Sequence, residues 1–118
     1  MSKCFDMRLS GLNINVKYRY DYLSQFCKDY IIKDVKQTDI FAETTEDKIA
    51  AEQQNGANAP VHSCESLCIY REIAEQLPHF SRFVFHGAAI SYKDKAYVFT
   101  APSGTGKTTH ISLWKKYI

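Results

Sequence analysis

The sequence predicts an α/β chain, with a small N-terminal α+β portion over residues 1–60 and the front of a phosphate-loop domain over residues 61–118. Three patterns carry that prediction. Residues 3–9 and 12–19 alternate apolar and polar side chains around Ser10-Gly11, the period-two signature of paired strands joined by a tight turn. Residues 63–77 repeat apolar side chains at steps of three and four, as one helix face requires. The apolar run Ala96-Tyr97-Val98-Phe99 enters Ala101-Pro102-Ser103-Gly104-Thr105-Gly106-Lys107-Thr108, and Ile111, Leu113 and Trp114 follow with helical spacing.

Taken in order, the opening hairpin leads to a helix over Asp21–Tyr30, with Tyr22, Leu23, Phe26, Cys27 and Tyr30 on its apolar face. Ile31-Ile32 and Asp39-Ile40-Phe41 are short strand candidates, and Thr44-Thr45-Glu46-Asp47 reads as a helix start leading to Ile49, Ala50 and Ala51. The polar, small stretch from Gln53 to Pro60 marks a loop, and the chain is divided there. Ser63 is placed to cap a helix reaching about Gln76, whose apolar face is Leu67, Tyr70, Ile73, Ala74 and Leu77, and Pro78 closes it. Arg82–Tyr92 reads as a strand, Lys93-Asp94-Lys95 as a hairpin turn, and Ala96–Thr100 as the strand that delivers the loop. No internal repeat occurs.

Composition narrows the partners. A chain of 118 residues with 45% hydrophobic and 24% charged side chains is long enough for a core and too apolar for a disordered tail. The net charge of +2, with Lys and Arg scattered, argues against a nucleic-acid partner. No run of about 18 apolar residues exists to span a membrane, so no membrane partner is expected and the expected address is cytoplasmic. Cys4, Cys27, Cys64 and Cys68 are too sparse for a secreted disulfide scaffold and are expected as reduced thiols.

The glycine-rich stretch has a chemical purpose. Backbone N–H groups of a tight loop and of the helix that follows converge on anionic oxygens. Gly104 and Gly106 permit backbone conformations that a Cβ obstructs, Lys107 offers a cation to the β- and γ-phosphates, and Thr108 offers a hydroxyl to Mg²⁺. Ala101 stands where the full pattern has glycine, and Pro102 removes one amide donor while stiffening the entry. The implied ligand is a nucleoside triphosphate, ATP with Mg²⁺, bound by Ser103, Gly104, Thr105, Gly106, Lys107, Thr108 and Thr109.

Phe85-His86-Gly87-Ala88-Ala89-Ile90, a short hairpin, Ala96–Thr100 and Ala101–Thr109 together resemble the nucleotide-binding core of HPr kinase/phosphorylase. The features shared are a His-Gly pair closing a strand, a hairpin before the loop, and a Ser-Gly-x-Gly-Lys core. Phosphoenolpyruvate carboxykinases look similar over Ser103–Thr109, and bacterial HPr-kinase-like proteins of unassigned substrate also share a helix resembling Glu65–Glu75. The resemblance implies a sheet like that of the HPr kinase C-terminal domain, and ATP-dependent phosphoryl transfer to a protein or small-molecule acceptor. Lys107 becomes the electrostatic clamp and His86 the second catalytic candidate, orienting a base or a phosphate oxygen, against the plainer alternative of a strand-end hydrogen bond. In that family the acids completing the metal site come from a strand beyond the loop's helix. Only ten residues follow Thr108 here, so the chain is expected to be truncated after that helix and inactive alone. A non-catalytic nucleotide-binding or regulatory module and a carboxykinase-like enzyme are the alternatives, and a homo-oligomer is compatible with either.

Other groupings weigh less. His62, Cys64 and Cys68 could meet around Zn²⁺ only with a fourth ligand, and buried helix-face cysteines are the ordinary alternative. Asp34 and Asp39 are surface turn residues before they are metal ligands, and His110 is an exposed helical histidine before it is a nucleotide contact. Tyr18, Tyr20 and Tyr22 fit a core or an edge better than a base-stacking surface.

Overall fold

The computed structural model describes residues 3–56, 59–100, 102 and 106–117. The chain is mixed α/β and divides into two compact units, Met1–Phe83 and Val84–Ile118. The division lies well beyond the boundary near residue 60 expected from the polar loop, because the helix after that loop buries its face in the first unit.

In the first unit β1 (Lys3–Leu9) and β2 (Leu12–Tyr18) form the expected hairpin. Ser10 and Gly11 both take positive φ, 50° and 77°, the two-residue turn whose twist matches paired strands. β3 (Ile31–Ile32) pairs antiparallel to β1 and β4 (Ile40–Ala42) parallel to β2, giving the order β3-β1-β2-β4. Alternation sends Met7, Leu12, Ile14, Val16, Ile40 and Ala42 into the core. On the other face Arg8 stands opposite Asn13 and donates to its Oδ1 at 3.0 Å, while Asn15, opposite Asp6, donates to Oδ1 at 2.9 Å.

The helices depart from the periodic reading. α1 (Asp21–Phe26) gives way to a 3-10 turn at Lys28–Tyr30, and of the expected face only Leu23 is buried, with Tyr22, Phe26 and Tyr30 exposed. α2 (Glu46–Asn55) starts as expected, with Thr45 Oγ1 accepting from the Lys48 N–H at 3.2 Å, and it runs into the stretch expected as loop. α3 (Val61–Gln76) begins behind Pro60, so Ser63 is inside the helix and caps nothing. Its buried face is Cys64, Glu65, Cys68, Ile69 and Ile73, whereas Leu67 and Tyr70 are 43% and 53% exposed. The face is turned because a carboxylate occupies its centre, which an apolar-periodicity argument assigns to solvent.

The second unit holds β5 (Ala88–Tyr92), β6 (Lys95–Phe99) and α4 (Lys107–Tyr117). The strand expected from Arg82 begins only at Ala88, and Lys93 and Asp94, with φ of 49° and 61°, make a two-residue turn. The Trp114 ring packs at 5.3 Å from Tyr97, 6.0 Å from Phe99 and 6.1 Å from Tyr92, joining α4 to the hairpin. Among the described residues no helix is long and apolar enough to cross a membrane.

Glu65, with no exposed surface, accepts from the backbone N–H of Arg19 at 2.9 Å and of Tyr20 at 3.1 Å, where β2 turns into α1. The Arg19 guanidinium stands 3.9 Å from the same carboxylate and donates to the Thr44 carbonyl at 3.0 Å, tying α3, β2 and the segment before α2 to one point. Glu65→Ala strips two N–H groups of their acceptor and is expected to lower stability by about 3 kcal/mol, with Glu65→Gln losing about 1 kcal/mol. Urea denaturation measures both, and a midpoint for Glu65→Ala equal to wild type refutes the role. The Thr44 hydroxyl is buried and has no hydrogen-bond partner among the described residues. Thr44→Val therefore keeps or raises the midpoint, and a clear loss in the same assay contradicts that account.

Candidate functional site

The candidate loop joins β6 to α4. Ser103, Gly104 and Thr105 lie outside the described residues, as does Ala101, so the site is built from its two ends. Gly106 takes φ +97°, a conformation that L side chains resist, although a Cβ there would meet nothing within 4 Å. Conformation, not space, makes glycine the fitting residue. Its carbonyl accepts the first bond of α4, from the His110 N–H at 2.9 Å. Lys107 is the first residue of α4, and its Nζ donates to the Pro102 carbonyl at 3.3 Å, so the ammonium folds back toward the loop's entry. Thr108 and Thr109 follow in the first turn with exposed side chains, and the Thr108 carbonyl accepts from Ser112 Oγ at 3.0 Å.

The electrostatics of α4 suit an anion at this end. The first-turn amides of an α-helix lack intrahelical acceptors and carry the positive end of its dipole. The first turn of α4 holds no acidic residue, and Lys115 and Lys116 sit in the last turn, where cations oppose the negative end. The first turn is therefore free of the carboxylate that would compete for those amides.

His86 and Gly87 lie beside the other end of the loop. The His86 carbonyl accepts from Thr100 Oγ1 at 3.2 Å, which sets the His-Gly pair against the strand end entering the loop. A Cβ on Gly87 would fall 2.8 Å from the Phe99 carbonyl oxygen and 2.7 Å from the Phe85 ring. The pair thus has a backbone reason: only glycine lets this segment close on the end of β6.

Sequence reasoning missed what His110 does. Its ring centroid is 4.5 Å from that of Phe99, and its Nε2 accepts the indole N–H of Trp114 at 3.0 Å. The signal available was the four-residue spacing of His110 and Trp114 on one helix face. The other groupings resolve differently. Cys64 and Cys68 are buried, with Sγ directed to the Ala59 and Lys48 carbonyls at 3.9 and 3.7 Å, whereas the His62 ring lies 4.6 Å from that of Tyr22. Among the described residues no cluster of three or more His, Cys, Asp or Glu is arranged to hold a metal ion. Asp39 is structural, its Oδ2 accepting from the Asn13 N–H at 2.8 Å, and Asp34 takes φ 60° in the segment between β3 and β4. All four cysteines are free thiols, and burial pushes the Cys27 thiol up, away from thiolate at neutral pH.

Comparison with protein-family models, curated proteins and solved structures returned no match.

Gly87→Ala forces the Phe85 ring to move and the Phe99 carbonyl or the hairpin to shift, since the backbone oxygen on that side has little freedom to give. Faster amide hydrogen exchange across Ala88–Phe99, by about tenfold for each 1.4 kcal/mol lost, is the expected outcome. Unchanged exchange in that hairpin rejects the close approach as the reason for glycine.

Proposed function

We propose that residues 103–109 bind the phosphates of a nucleoside triphosphate with Mg²⁺, and that phosphoryl transfer is the chemistry to which the chain is related. The observation that supports it most is the position of Lys107. At the first residue of α4, with Nζ on the Pro102 carbonyl, its cation lies along the stretch a polyphosphate would occupy and can exchange a neutral carbonyl for charged oxygens. Gly106 at positive φ and a first turn of α4 without an acidic residue add support from geometry. Thr108 is the residue offered to Mg²⁺, and ATP is the nucleotide the motif suggests.

The resemblance to HPr kinase extends this to a kinase, with His86 beside the loop entry as the second catalytic candidate and a protein or small molecule as acceptor. A second reading keeps the same phosphate site and is binding without chemistry; among the described residues of Val84–Ile118 the one carboxylate, Asp94, lies in the β5–β6 turn, at the opposite end of β6 from Lys107. Aligning an attacking hydroxyl calls for a base or orienting group close to the γ-phosphate.

Titration calorimetry with Mg·ATP tests the binding site. Lys107→Ala is expected to weaken binding roughly thirtyfold, the equivalent of about 2 kcal/mol for a charge-assisted hydrogen bond. Omitting Mg²⁺ is expected to weaken it as well. Equal affinity of the wild type and the Lys107 variant rejects the assignment.

A further inference from the structure

We infer that His110 is a positioning residue that sets the mouth of the phosphate loop by holding the end of β6 against the start of α4. The inference rests on the phosphate-binding proposal for residues 103–109 and assigns the means by which that site keeps its shape. Three contacts radiate from this one residue. Its backbone N–H donates to the Gly106 carbonyl at 2.9 Å, closing the first turn of α4 on the residue that ends the loop. Its ring lies 4.5 Å from that of Phe99, the last residue of β6, with the planes at 54°. Its Nε2 accepts from Trp114 Nε1 at 3.0 Å, which fixes the ring's rotation and puts the proton of the neutral imidazole on Nδ1.

Phe99 and Gly106 are the two banks of the loop, and His110 touches both. A phosphate cradle works only when its amides converge, and their convergence depends on the separation of the points where the loop leaves the strand and joins the helix. An ordinary exposed side chain in a first helical turn is free to sample rotamers and couples to neither bank. Here Trp114 removes that freedom, and Trp114 is itself packed on Tyr97, Phe99 and Tyr92. The first turn of α4 and the end of β6 are thereby joined by a continuous chain of rings. Truncating His110 leaves the backbone bond to Gly106 and deletes the ring contact with Phe99, so the two flanking residues lose their link through this side chain.

The test uses the full chain and inorganic tripolyphosphate with Mg²⁺, followed by calorimetry and by the emission of Trp114, the chain's only tryptophan. His110→Ala is expected to weaken binding about tenfold. His110→Phe, which keeps a ring against Phe99, and His110→Gln, which keeps an acceptor for the indole N–H, are each expected to recover part of the loss. The Trp114 emission of the Ala and Phe variants shifts from wild type, and that of the Gln variant stays close to it. Lys107→Ala serves as the control for the site itself. Tripolyphosphate binding that is lost in Lys107→Ala but unchanged in His110→Ala overturns the positioning role and leaves the phosphate site standing. Absence of binding by the wild type overturns both. Where circular dichroism shows that His110→Ala has lost helix, the Phe and Gln variants decide, and wild-type affinity in both overturns the inference.

Discussion

A carboxylate with no surface of its own is the point on which the first unit turns. Glu65 sits at the centre of the buried face of α3 and receives the backbone N–H groups of Arg19 and Tyr20, where β2 ends. Buried acids are tolerated only when hydrogen-bonded and charge-compensated; here two backbone amides donate to the carboxylate and the guanidinium, 3.9 Å away, supplies the opposite charge. The consequence is geometric. With Glu65 anchored, the rotation of α3 about its axis is set, Ile69 and Ile73 are driven onto Met7, Ile14, Val16 and Ile40, and Cys64 and Cys68 are directed to α2. Arg19, bonded to the Thr44 carbonyl, then fixes where the chain leaves β4 for α2. A hydrophobic residue at position 65 would fill the space without specifying the register of strand, helix and loop.

That interaction also explains which parts of the fold were legible in the sequence. The opening hairpin was, because alternation and a Ser-Gly turn are local, and both survive in the backbone of Ser10 and Gly11. So were the start of α2, written in Thr45, and the β–loop–α passage around residue 106. The face of α3 was legible only in part: Ile73 is buried and Leu77 packs against the core as expected, while Leu67 and Tyr70 are exposed and Glu65 takes the centre of the face through tertiary hydrogen bonds that periodicity does not register. α1 starts at Asp21 as expected, but its apolar face was not legible: six residues make too few turns for an apolar stripe, and one leucine suffices to dock it. In the candidate site the motif residues were proposed from chemistry alone, and Ser103, Gly104 and Thr105 lie outside the described residues, whereas the contacts of His110 became visible only through rings brought together by the hairpin and helix.

The two units are built on different principles. The first has a contiguous apolar core, but no described residue of Val84–Ile118 is buried. The second is held by aromatic contacts among Tyr92, Tyr97, Phe99, His110 and Trp114, by the five-pair ladder of β5 and β6, and by one helix. A two-stranded sheet is marginal in water unless a third element packs on it. Here α4 is that element, and its attachment runs through Trp114 and His110. The glycines of the site belong to the same economy of contacts: Gly87 lets the chain close on Phe99, and Gly106 turns it into the helix.

On the phosphate site proposed above, stability and ligand binding in the second unit would be coupled. A ligand that binds only the folded form adds about 2.7 kcal/mol of stability at a hundredfold excess over its dissociation constant. For a unit in which no described residue is buried, that increment is comparable to what aromatic pairs contribute at about 0.5–1.5 kcal/mol each. Polyphosphate at the first turn of α4 would act on the elements the aromatic chain already joins, opposing the dipole at the helix start and exchanging the Pro102 carbonyl for charged oxygens on Lys107. Each contact that keeps Phe99 and Gly106 in place then serves twice, once in holding α4 on the hairpin and once in presenting the amides. A substitution at His110 or Trp114 should accordingly be judged on affinity and on stability together, because in this unit the same few rings supply both.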